Sequence, residues 1–282
     1  TRETAALARQ KQKAGAEIAA EAAPAAAENH GLNAEQWAAV TAEERTVAVI
    51  AGPGTGKTRT LTERIAYQIE QGTPPGRITA VTFTNRAARE MRERLQKRLG
   101  RKRQAGQVHI GTFHALCLQL LEKWRGPVTL LDEAQAIALA DTVCRELPWD
   151  GSPRDLVQGV SRRKNGLDSA VPEEVLAAYA ARQLETGALD FDDLLLETLR
   201  ELEAGRTLPD WFGQLLVDEF QDGNALQHRL TEAWSRNGDS LFVIGDPDQA
   251  IYGFRGADSH GFERLAADRP DLRTIRLVRN YR

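Results

Sequence analysis

Residues 51–58, with the sequence AGPGTGKT, combine the residue types that bind a polyphosphate. Their glycines allow backbone N–H groups to curl around phosphate oxygens, and a helix that begins directly after such a loop adds the positive end of its dipole. In a loop of this kind the lysine, here Lys57, reaches the β- and γ-phosphates, and the hydroxyl of Thr58 ligates Mg²⁺. The stretch therefore predicts a site for a nucleoside triphosphate and Mg²⁺. The residues predicted to surround the nucleotide are Gly52, Pro53, Gly54, Thr55, Gly56, Lys57, Thr58 and Arg59.

The elements on either side of this phosphate loop (residues 51–58) are those that such a loop needs. Residues 46–50 are a short apolar run rich in β-branched side chains, which predicts a buried strand. After the loop, Leu61, Ile65 and Ile69 recur at helical spacing. A strand, a glycine-rich turn and a helix in this order favour a phosphate-binding loop over a glycine-rich loop that carries Lys and Thr by chance. The first position departs from the usual pattern, since Ala51 stands where glycine is expected.

Two neighbouring carboxylates, Asp218 and Glu219, follow a second apolar run at residues 215–217. In open parallel sheets ligands bind at the carboxyl ends of the strands, and the phosphate loop leaves its own strand at the same edge. Asp218 is therefore predicted to share Mg²⁺ with Thr58, and Glu219 to orient and deprotonate the attacking water. Acidic residues also occur at helix starts, so this carboxylate pair is informative only together with the phosphate loop.

A third polar stretch, residues 245–257, follows the apolar run at residues 241–244. Its sequence, GDPDQAIYGFRGA, is too polar and too rich in turn formers for a core segment. Gln249 is placed to sense a γ-phosphate, and Tyr252 and Phe254 to stack on nucleic-acid bases. Simple packing of the two aromatic rings within the protein remains an alternative.

The order of the apolar runs and helical periodicities predicts the fold class. Strand patterns alternate with helical ones, which favours an α/β fold with a mostly parallel sheet and helices on both faces. A continuous helical block predicts an inserted all-helical subdomain, and an Ala-rich start with few large apolar residues predicts a leader that is helical or disordered. The predicted parts are the leader at residues 1–30, a core of residues 31–121 and 188–282, and a helical insertion of residues 122–187.

The composition of the 282 residues is that of a globular protein. Hydrophobic residues make up 41% and charged residues 27%, with a formal net charge of -3. No apolar run approaches the length of a bilayer span, and no secretory signal is visible. Cys117 and Cys144 lack metal-ligand spacing, so both are expected in a core and the chain in a reducing cytoplasm. Because the chain begins at Thr1, we expect a processed or excised segment.

A predicted helix that starts near Asn85 carries a strongly basic side. Its apolar residues recur every four positions and predict one buried stripe, formed by Ala87, Met91, Leu95 and Leu99. The basic residues on its other faces are Arg86, Arg89, Arg92, Arg94, Lys97 and Arg98. Two glutamates of the same helix can pair with basic residues at i,i+4. An ordinary solvated face and a surface that follows a phosphate backbone are therefore both open.

Read together, these stretches and five others resemble the motifs of the superfamily 1 helicases of the UvrD/Rep/PcrA type. The resemblance covers residues 32–282, nearly the whole globular sequence, with the motifs in the family order. The additional stretches are Leu32-Asn33 with Gln36, TFTNRAA at residues 82–88, GTFH at residues 111–114, FDDL at residues 191–194 and Asn280-Tyr281-Arg282. The resemblance implies a RecA-like P-loop NTPase core that binds ATP and Mg²⁺.

By this resemblance Gln36 reads the adenine, Tyr281 stacks on it and Arg282 contacts the γ-phosphate. Gln36 also follows Asn33 by three residues, so a helix capping box is the alternative role of its side chain. The implied catalytic residues are Glu219, Lys57, Gln249 and Arg282.

The resemblance also implies contacts with single-stranded DNA and with junctions of single- and double-stranded DNA. The residues implied are Phe83, Thr84, Asn85, Arg86, Thr112, His114, Tyr252 and Phe254. Three positions depart from the family pattern: Arg86 replaces lysine, Gly223 replaces threonine and Phe254 replaces tryptophan. Neither the Gly223 nor the Phe254 departure touches the triphosphate chemistry, but the second can alter base stacking.

The implied function is an ATP-dependent DNA helicase or translocase, with 3′–5′ movement expected from the resemblance. The family continues into a second RecA-like domain that supplies a further arginine to the γ-phosphate. The 282 residues, without that missing C-terminal helicase half, are therefore expected to bind Mg·ATP and to hydrolyse it slowly. Two alternatives are the N-terminal part of a helicase–nuclease of the RecB/AddA kind and a nucleotide-gated DNA-binding module. A GTPase is disfavoured, because no guanine-reading element is evident.

Overall fold

Six parallel strands form the centre of the protein in the computed structural model, which describes residues 29–249 and 260–281. The strands are β1 (Thr46–Ala51), β2 (Ile78–Thr82), β3 (His109–Thr112), β4 (Gln214–Val217), β5 (Ser240–Gly245) and β6 (Arg273–Leu277). Their order across the sheet is β3-β2-β4-β5-β1-β6, and every neighbouring pair is parallel. The α/β fold with a mostly parallel sheet is confirmed. The predictions for residues 1–28 and for Tyr252, Phe254 and Arg282 lie outside the described residues.

Eleven α-helices accompany the sheet within the described ranges. They are α1 (Ala34–Thr41), α2 (Lys57–Glu70), α3 (Asn85–Leu99), α4 (Lys102–Ala105), α5 (Phe113–Arg125), α6 (Glu133–Glu146), α7 (Pro153–Lys164), α8 (Glu173–Thr186), α9 (Phe191–Glu203), α10 (Ala225–Ser235) and α11 (Gly261–Asp268). Several helices start where the sequence offers a side-chain cap, and Asn33, Asp132 and Asp190 each begin a capping box. None of the described helices is both long and apolar enough to cross a lipid bilayer.

Two apolar clusters, one on each face of the sheet, hold the helices in place. Along β1, Val47 and Val49 belong to the cluster under α2 and α3, whereas Ala48 belongs to the cluster under α5, α9 and α10. Successive side chains of a strand point to opposite faces, and five of the six residues of β1 are buried. Burial on both faces accounts for the nearly continuous apolar runs of the sequence.

The helices α6, α7 and α8, which lie in the segment predicted as a helical insertion (residues 122–187), share a small apolar core of their own. The buried residues of that core include Ala140, Val143, Leu156, Val175 and Tyr179. The chain enters and leaves the insertion side by side, because Leu130 and Leu189 form a parallel β-bridge. The insertion is thus joined to the core through two adjacent segments.

A polar network with little solvent exposure fixes the insertion to the core. The ammonium of Lys164 at the end of α7 lies 2.7 Å from a carboxylate oxygen of Asp190 and 2.7 Å from one of Asp193, at the start of α9. The side-chain amide of Asn224, the N-cap of α10, donates to Asn165 at 2.7 Å. Partly buried ion pairs hold only when their geometry is well defined. The network therefore sets how the insertion meets α9 and α10.

The buried stripe of α3 differs from its prediction by one position. Ala88 rather than Ala87 is buried with Met91 and Leu95, and Leu99 is only partly buried. A strict four-residue spacing drifts away from the helical period of 3.6 residues, which accounts for the shift at the start of the stripe.

The basic side of α3 has two parts. Arg92 donates to the carbonyl of Ile110, Arg94 pairs with Glu90 one turn away, and Arg98 pairs with two glutamates of α2. These three arginines are therefore engaged by partners within the protein. A surface that follows a phosphate backbone stays a prediction for the others, which are Arg86, Arg89 and Lys97.

The two cysteines differ in their burial. Cys117 is fully buried in the cluster under α5, α9 and α10, and burial raises the pKa of its thiol to about 12. Cys144 is half-buried at the margin of the insertion core, and both thiols are free. A core position is confirmed for Cys117, whereas Cys144 only borders a core.

Candidate functional site

The phosphate loop joins the end of β1 to the start of α2. Gly54 and Gly56 have φ values of +73° and +87°, in the left-handed region that glycine adopts most readily. Gly56 is also the N-cap of α2, and a Cβ atom there would lie only 2.7 Å from Nε2 of Gln36. Positive φ and close approach both require glycine at this position. The loop therefore leads straight into a helix N-terminus whose first backbone N–H groups lack helical partners.

The departure at Ala51 has a structural reason. Ala51 is the last residue of β1, is fully buried and is paired with Leu277 in the parallel ladder to β6. The glycine-rich turn begins one residue later, so a small apolar side chain fits at this position.

Gln36 occupies the N-terminal turn of α1 and contacts the phosphate loop. Its Oε1 accepts from the backbone N–H of Asn33 at 3.0 Å, which completes the capping box expected from the sequence. Its Nε2 donates to the carbonyl of Thr55 at 2.8 Å, and the residue is 2% exposed. The capping role is therefore realised, and the amide keeps one further N–H and one further lone pair.

Tyr281 also contacts the phosphate loop. Its backbone N–H donates to the carbonyl of Gly54 at 2.9 Å, while the residue as a whole is 52% exposed. Arg59 points back along the chain and donates to the carbonyl of His30 at 2.7 Å. Gln36 and Tyr281 thus bind two successive carbonyls of the phosphate loop, whereas Arg59 is engaged with His30.

The phosphate loop and the carboxylate pair (Asp218 and Glu219) meet at the carboxyl edge of the sheet. Only β5 separates β4 from β1, so the two strand ends lie about 10 Å apart, which is two strand spacings. The ammonium of Lys57 spans this gap and lies 3.1 Å from a carboxylate oxygen of Glu219. Glu219 has φ +46° and ψ +46°, a conformation that residues other than glycine rarely adopt. This left-handed turn ends β4 and accompanies the contact with Lys57.

Asp218 is a buried acid at the end of β4. It is 5% exposed, and its backbone N–H donates to the carbonyl of Val81 at 2.9 Å. Burial, together with the charge of Glu219, raises the pKa of Asp218 to about 7. The same two causes raise the pKa of Asp222 to about 6. Such a cluster of carboxylates would be stabilised by an additional cation.

Gln221 and Asp246 connect the turns after β4 and β5, although the sequence does not single them out as site residues. Gln221 donates to Glu219 at 3.0 Å and accepts from the backbone N–H of Asp246 at 2.9 Å. The carboxylate of Asp246 accepts from Nε2 of Gln249 at 2.5 Å. One sequence feature could have identified them: both are polar residues within four positions of the end of an apolar run. Such positions lie at the ligand-binding edge of a parallel sheet. They form a chain of hydrogen bonds from the carboxylate pair to Gln249.

Six of the residues implied in DNA binding lie within the described ranges, at the same edge after β2 and β3: Phe83, Thr84, Asn85, Arg86, Thr112 and His114. Thr82 and Thr112 are opposite each other in the parallel ladder of these strands. Thr84 caps α3 by accepting from the N–H of Ala87 at 3.1 Å, and Thr112 caps α5 in the same way. Each threonine hydroxyl therefore has a structural role in addition to any contact with DNA.

The aromatic residues near these caps are partly packed. The ring of Phe83 lies 5.6 Å from that of Phe113, centroid to centroid, so part of Phe83 belongs to the core. His114 packs edge-on against Phe191 at 5.8 Å, and burial lowers the pKa of His114 while Asp192 opposes the shift. Asn85 and Arg86 are exposed. Solvent thus reaches the start of α3 more fully than the start of α5.

Comparison with known proteins places this arrangement in a family. The model of the UvrD/REP helicase N-terminal domain matches residues 32–145 and 150–270, most of the chain. This chain belongs to that family. The family resemblance found in the sequence is confirmed.

Two relatives show the extent of the match. The ATP-dependent DNA helicase PcrA of Staphylococcus aureus strain Mu50 is 34% identical over 281 residues, covering 90% of this chain and 38% of that protein. The ATP-dependent DNA helicase UvrD1 of Mycobacterium bovis is 37% identical over 292 residues, covering 89% of this chain and 37% of that protein. The chain therefore spans less than two fifths of the length of these UvrD/REP relatives.

The departure from the UvrD/REP pattern at Gly223 is explained by a neighbouring histidine. A Cβ atom at Gly223 would lie 2.9 Å from Cε1 of His228, and one at Gly261 would lie 2.6 Å from the same atom. The His228 ring fills the space between these two glycines and packs edge-on against Phe220 at 4.6 Å. A threonine at position 223 would clash with this ring, so Gly223 and His228 form a matched pair.

We expect His228 to make the protein less stable in acid. Burial and the charge of Arg264 lower the pKa of His228 to about 4, against 6.5 for an unperturbed histidine. A histidine held neutral contributes its full stability above the unfolded-state pKa and loses it as the pH falls towards the folded-state value. A shift of this size corresponds to up to about 3 kcal/mol.

Urea unfolding at a series of pH values between about 4 and 7 measures this effect. The free energy of unfolding of His228→Gln should fall less steeply with acid than that of the wild type. The exposed histidine variant His30→Gln should follow the wild type. Parallel curves for His228→Gln and the wild type would contradict the prediction.

Proposed function

We propose that this chain is the ATP- and single-stranded-DNA-binding N-terminal part of an ATP-dependent DNA helicase or translocase. The observation that carries the proposal is the 3.1 Å contact between Lys57 and Glu219, which joins the phosphate loop to the carboxylate pair at one edge of the sheet. The names of the UvrD/REP relatives PcrA and UvrD1 support the same function. Movement in the 3′–5′ direction and a cytoplasmic location belong to the proposal as expectations of the family resemblance.

The residues at the sheet edge have separate proposed roles in hydrolysis. Lys57 would contact the β- and γ-phosphates, and Thr58 and Asp218 would hold Mg²⁺. When bound, Mg²⁺ neutralises charge on the phosphate oxygens. Glu219 would accept a proton from the attacking water, and Gln249 would report on the γ-phosphate through its bond to Asp246.

The residues present fit a magnesium–nucleotide complex. Asp218 is buried, its pKa is raised to about 7, and Lys57 lowers it only in part. Mg²⁺ in nucleotide sites takes one or two protein ligands and completes its shell with phosphate oxygens and water. Asp218 and the Thr58 hydroxyl suffice for such a site.

The adenine would lie beside Gln36 and Tyr281, which both bind the phosphate loop. Tyr281 is half exposed and anchored to Gly54 by its backbone, and the guanidinium carbon of Arg279 lies 5.2 Å from the centroid of its ring. The ring would therefore stack on the base through the face away from Arg279. Gln36 would read the base with the N–H and lone pair that its capping and loop bonds leave unused. Arg282 would contact the γ-phosphate.

Single-stranded DNA would cross the carboxyl ends of β2 and β3, next to the nucleotide site. The strand order places β4 between these ends and the phosphate loop, so the carboxylate pair lies between the two proposed binding regions. Exposed Asn85 and Arg86 would contact the DNA backbone, with Phe83, Thr84, Thr112 and His114 beside them. Junctions of single- and double-stranded DNA are the proposed substrate of the whole protein.

Binding of a fluorescent ATP analogue and steady-state ATPase, each with and without a single-stranded oligonucleotide, test the proposal. For residues 1–282 tested by themselves, which span less than two fifths of the UvrD/REP relatives, we expect Mg²⁺-dependent binding and slow turnover, because an arginine that another part of such a protein supplies to the γ-phosphate is worth about 10³-fold or more in rate. Failure to bind Mg·ATP would overturn the proposed function. Robust DNA-stimulated turnover would contradict the expected slow hydrolysis. A DNA affinity that responds to ATP analogues without any turnover would favour the nucleotide-gated module instead.

A further inference from the structure

Arg64 of α2 is a buried cation in an unusual setting. It is 3% exposed, and within the described ranges it forms no ion pair, although the charge of Glu44 acts on it from a longer distance. Its Nη1 donates to the carbonyls of Ala39, Val40 and Ala42 at 2.9, 3.2 and 3.0 Å. Its guanidinium carbon lies 4.7 Å from the centroid of the Phe242 ring on β5. Burial lowers the pKa of Arg64 to about 10, so the side chain stays charged at neutral pH.

The acceptors of Arg64 are carbonyls at the C-terminal end of α1. Such carbonyls have no partners within their helix and carry the negative end of its dipole, which is how the buried charge is tolerated. α1 has only eight residues and is too short to be stable without tertiary contacts. Arg64 therefore fastens α1 to α2, the helix that begins at the phosphate loop.

The opposite end of α1 holds the phosphate loop. The side-chain amide of Gln36 donates to the carbonyl of Thr55 at 2.8 Å. The neighbouring Glu35 accepts from the backbone N–H of Val278 at 2.9 Å. Three residues after Val278, the backbone N–H of Tyr281 donates to the carbonyl of Gly54, the loop residue before Thr55. Two successive loop carbonyls are thus held by groups that α1 carries or orients.

Fixing the Thr55 carbonyl also fixes the amide that follows it. In a planar trans peptide the carbonyl of one residue and the N–H of the next point in opposite directions. With the Thr55 carbonyl directed at α1, the Gly56 N–H points away from α1. Under the proposed function this N–H is one of the donors to a phosphate oxygen.

We propose that Arg64 is a positioning residue for phosphate binding, which acts through α1 and Gln36 on the peptide between Thr55 and Gly56. The inference rests on the proposed function. It assigns to Gln36 a second role, that of holding the phosphate loop in its binding conformation. The ligand affected is the triphosphate itself, whatever base is attached.

Calorimetric titration with inorganic tripolyphosphate and Mg²⁺ tests the inference, since this ligand has no base. Gln36→Glu keeps the acceptor that completes the capping box but loses the donor to Thr55. Arg64→Lys keeps the charge, but its side chain is one atom shorter, so the ammonium no longer reaches the three carbonyls that Nη1 of Arg64 binds. We expect each variant to weaken tripolyphosphate binding by roughly tenfold, the effect of one lost hydrogen bond. The affinity of the double variant for tripolyphosphate should fall by much less than the product of the two single-variant losses, because both changes act through the same contacts.

A matched control is Arg98→Met. Arg98 also contacts α2, through Glu63 and Glu70, but does not reach α1. The Arg98→Met substitution should lower the unfolding temperature without changing the affinity for tripolyphosphate. If Arg64→Lys does not fold, Arg64→Met, which buries no charge, replaces it in the same cycle.

The outcomes separate this inference from the proposed function. A wild-type protein that fails to bind Mg²⁺ with either tripolyphosphate or ATP would overturn the proposed function. Wild-type binding with unchanged affinity in the Arg64 variants would overturn the positioning role. Fully multiplicative effects of the Arg64 and Gln36 changes would also overturn it, because the two residues would then act separately.

Discussion

Replacing Lys57 with methionine is expected to weaken Mg·ATP binding by about 100-fold or more. The Lys57 ammonium is the cation that lowers the pKa of both Asp218 and Asp222, and it lies 3.1 Å from Glu219. Without it, three carboxylates and no lysine would face a highly charged triphosphate. The loss therefore combines a missing charge-assisted hydrogen bond with added repulsion. Calorimetric titration at fixed ionic strength measures the change.

The control for this variant is Lys123→Met. Lys123 is exposed and lies over the ring of Trp211, which precedes β4 at the opposite edge of the sheet. Its removal changes the net charge by the same amount and should leave Mg·ATP affinity within about twofold. Equal losses in Lys57→Met and Lys123→Met would show that overall charge, and not the loop contact, sets the affinity.

The phosphate loop could be predicted from the sequence because its determinants are local. The strand at residues 46–50, the glycines and the helix from Lys57 each follow from a run of neighbouring residues. The order of the strands does not, since it depends on crossover connections between distant segments. The sequence placed Asp218 and Thr58 at a common edge, but only the order β4-β5-β1 gives the contact between Lys57 and Glu219.

The residues that sequence reasoning missed are buried polar groups with distant partners. Arg64 stands between Glu63 and Ile65 and resembles an exposed helical arginine. Its position three residues after Leu61 places it on the apolar stripe of α2, which is the signal for its burial. Its acceptors on α1 could not be deduced, because nothing local specifies where that helix ends in space. The same holds for Gln221, whose partner Asp246 follows another strand.

At the carboxyl edge of the sheet, the residues proposed to bind the ligand differ from those that stabilise the fold. The apolar strands and the capped helices stabilise the protein, whereas a buried acid beside a second carboxylate does not. Sites that bind cations commonly retain such groups because the ligand compensates them. Asp218 is the residue at which ligand binding and stability can be measured separately.

Asp218→Asn is expected to stabilise the protein without metal and to weaken its binding of Mg·ATP. Burial and Glu219 raise the pKa of Asp218 from 3.8 to about 7. A carboxyl with a raised folded-state pKa costs nothing below its unfolded-state pKa, and the cost grows as the pH rises to the folded-state value. A shift of about three units corresponds to roughly 2–4 kcal/mol above pH 7, which the amide would recover.

Unfolding in urea with EDTA, at about pH 5 and pH 8, measures the gain, which should be larger at the higher pH. In the presence of Mg²⁺ and ATP the stability advantage of the variant should shrink by up to about 2.7 kcal/mol, because asparagine is a weaker ligand for a divalent cation and affinity should fall by roughly 100-fold. The exposed carboxylate variant Asp210→Asn, at the opposite edge of the sheet, should change neither quantity. An Asp218→Asn protein that is less stable in EDTA yet binds Mg·ATP normally would place the cation elsewhere. Stability gained together with ligand affinity lost is the combination expected of a buried acid retained for its metal.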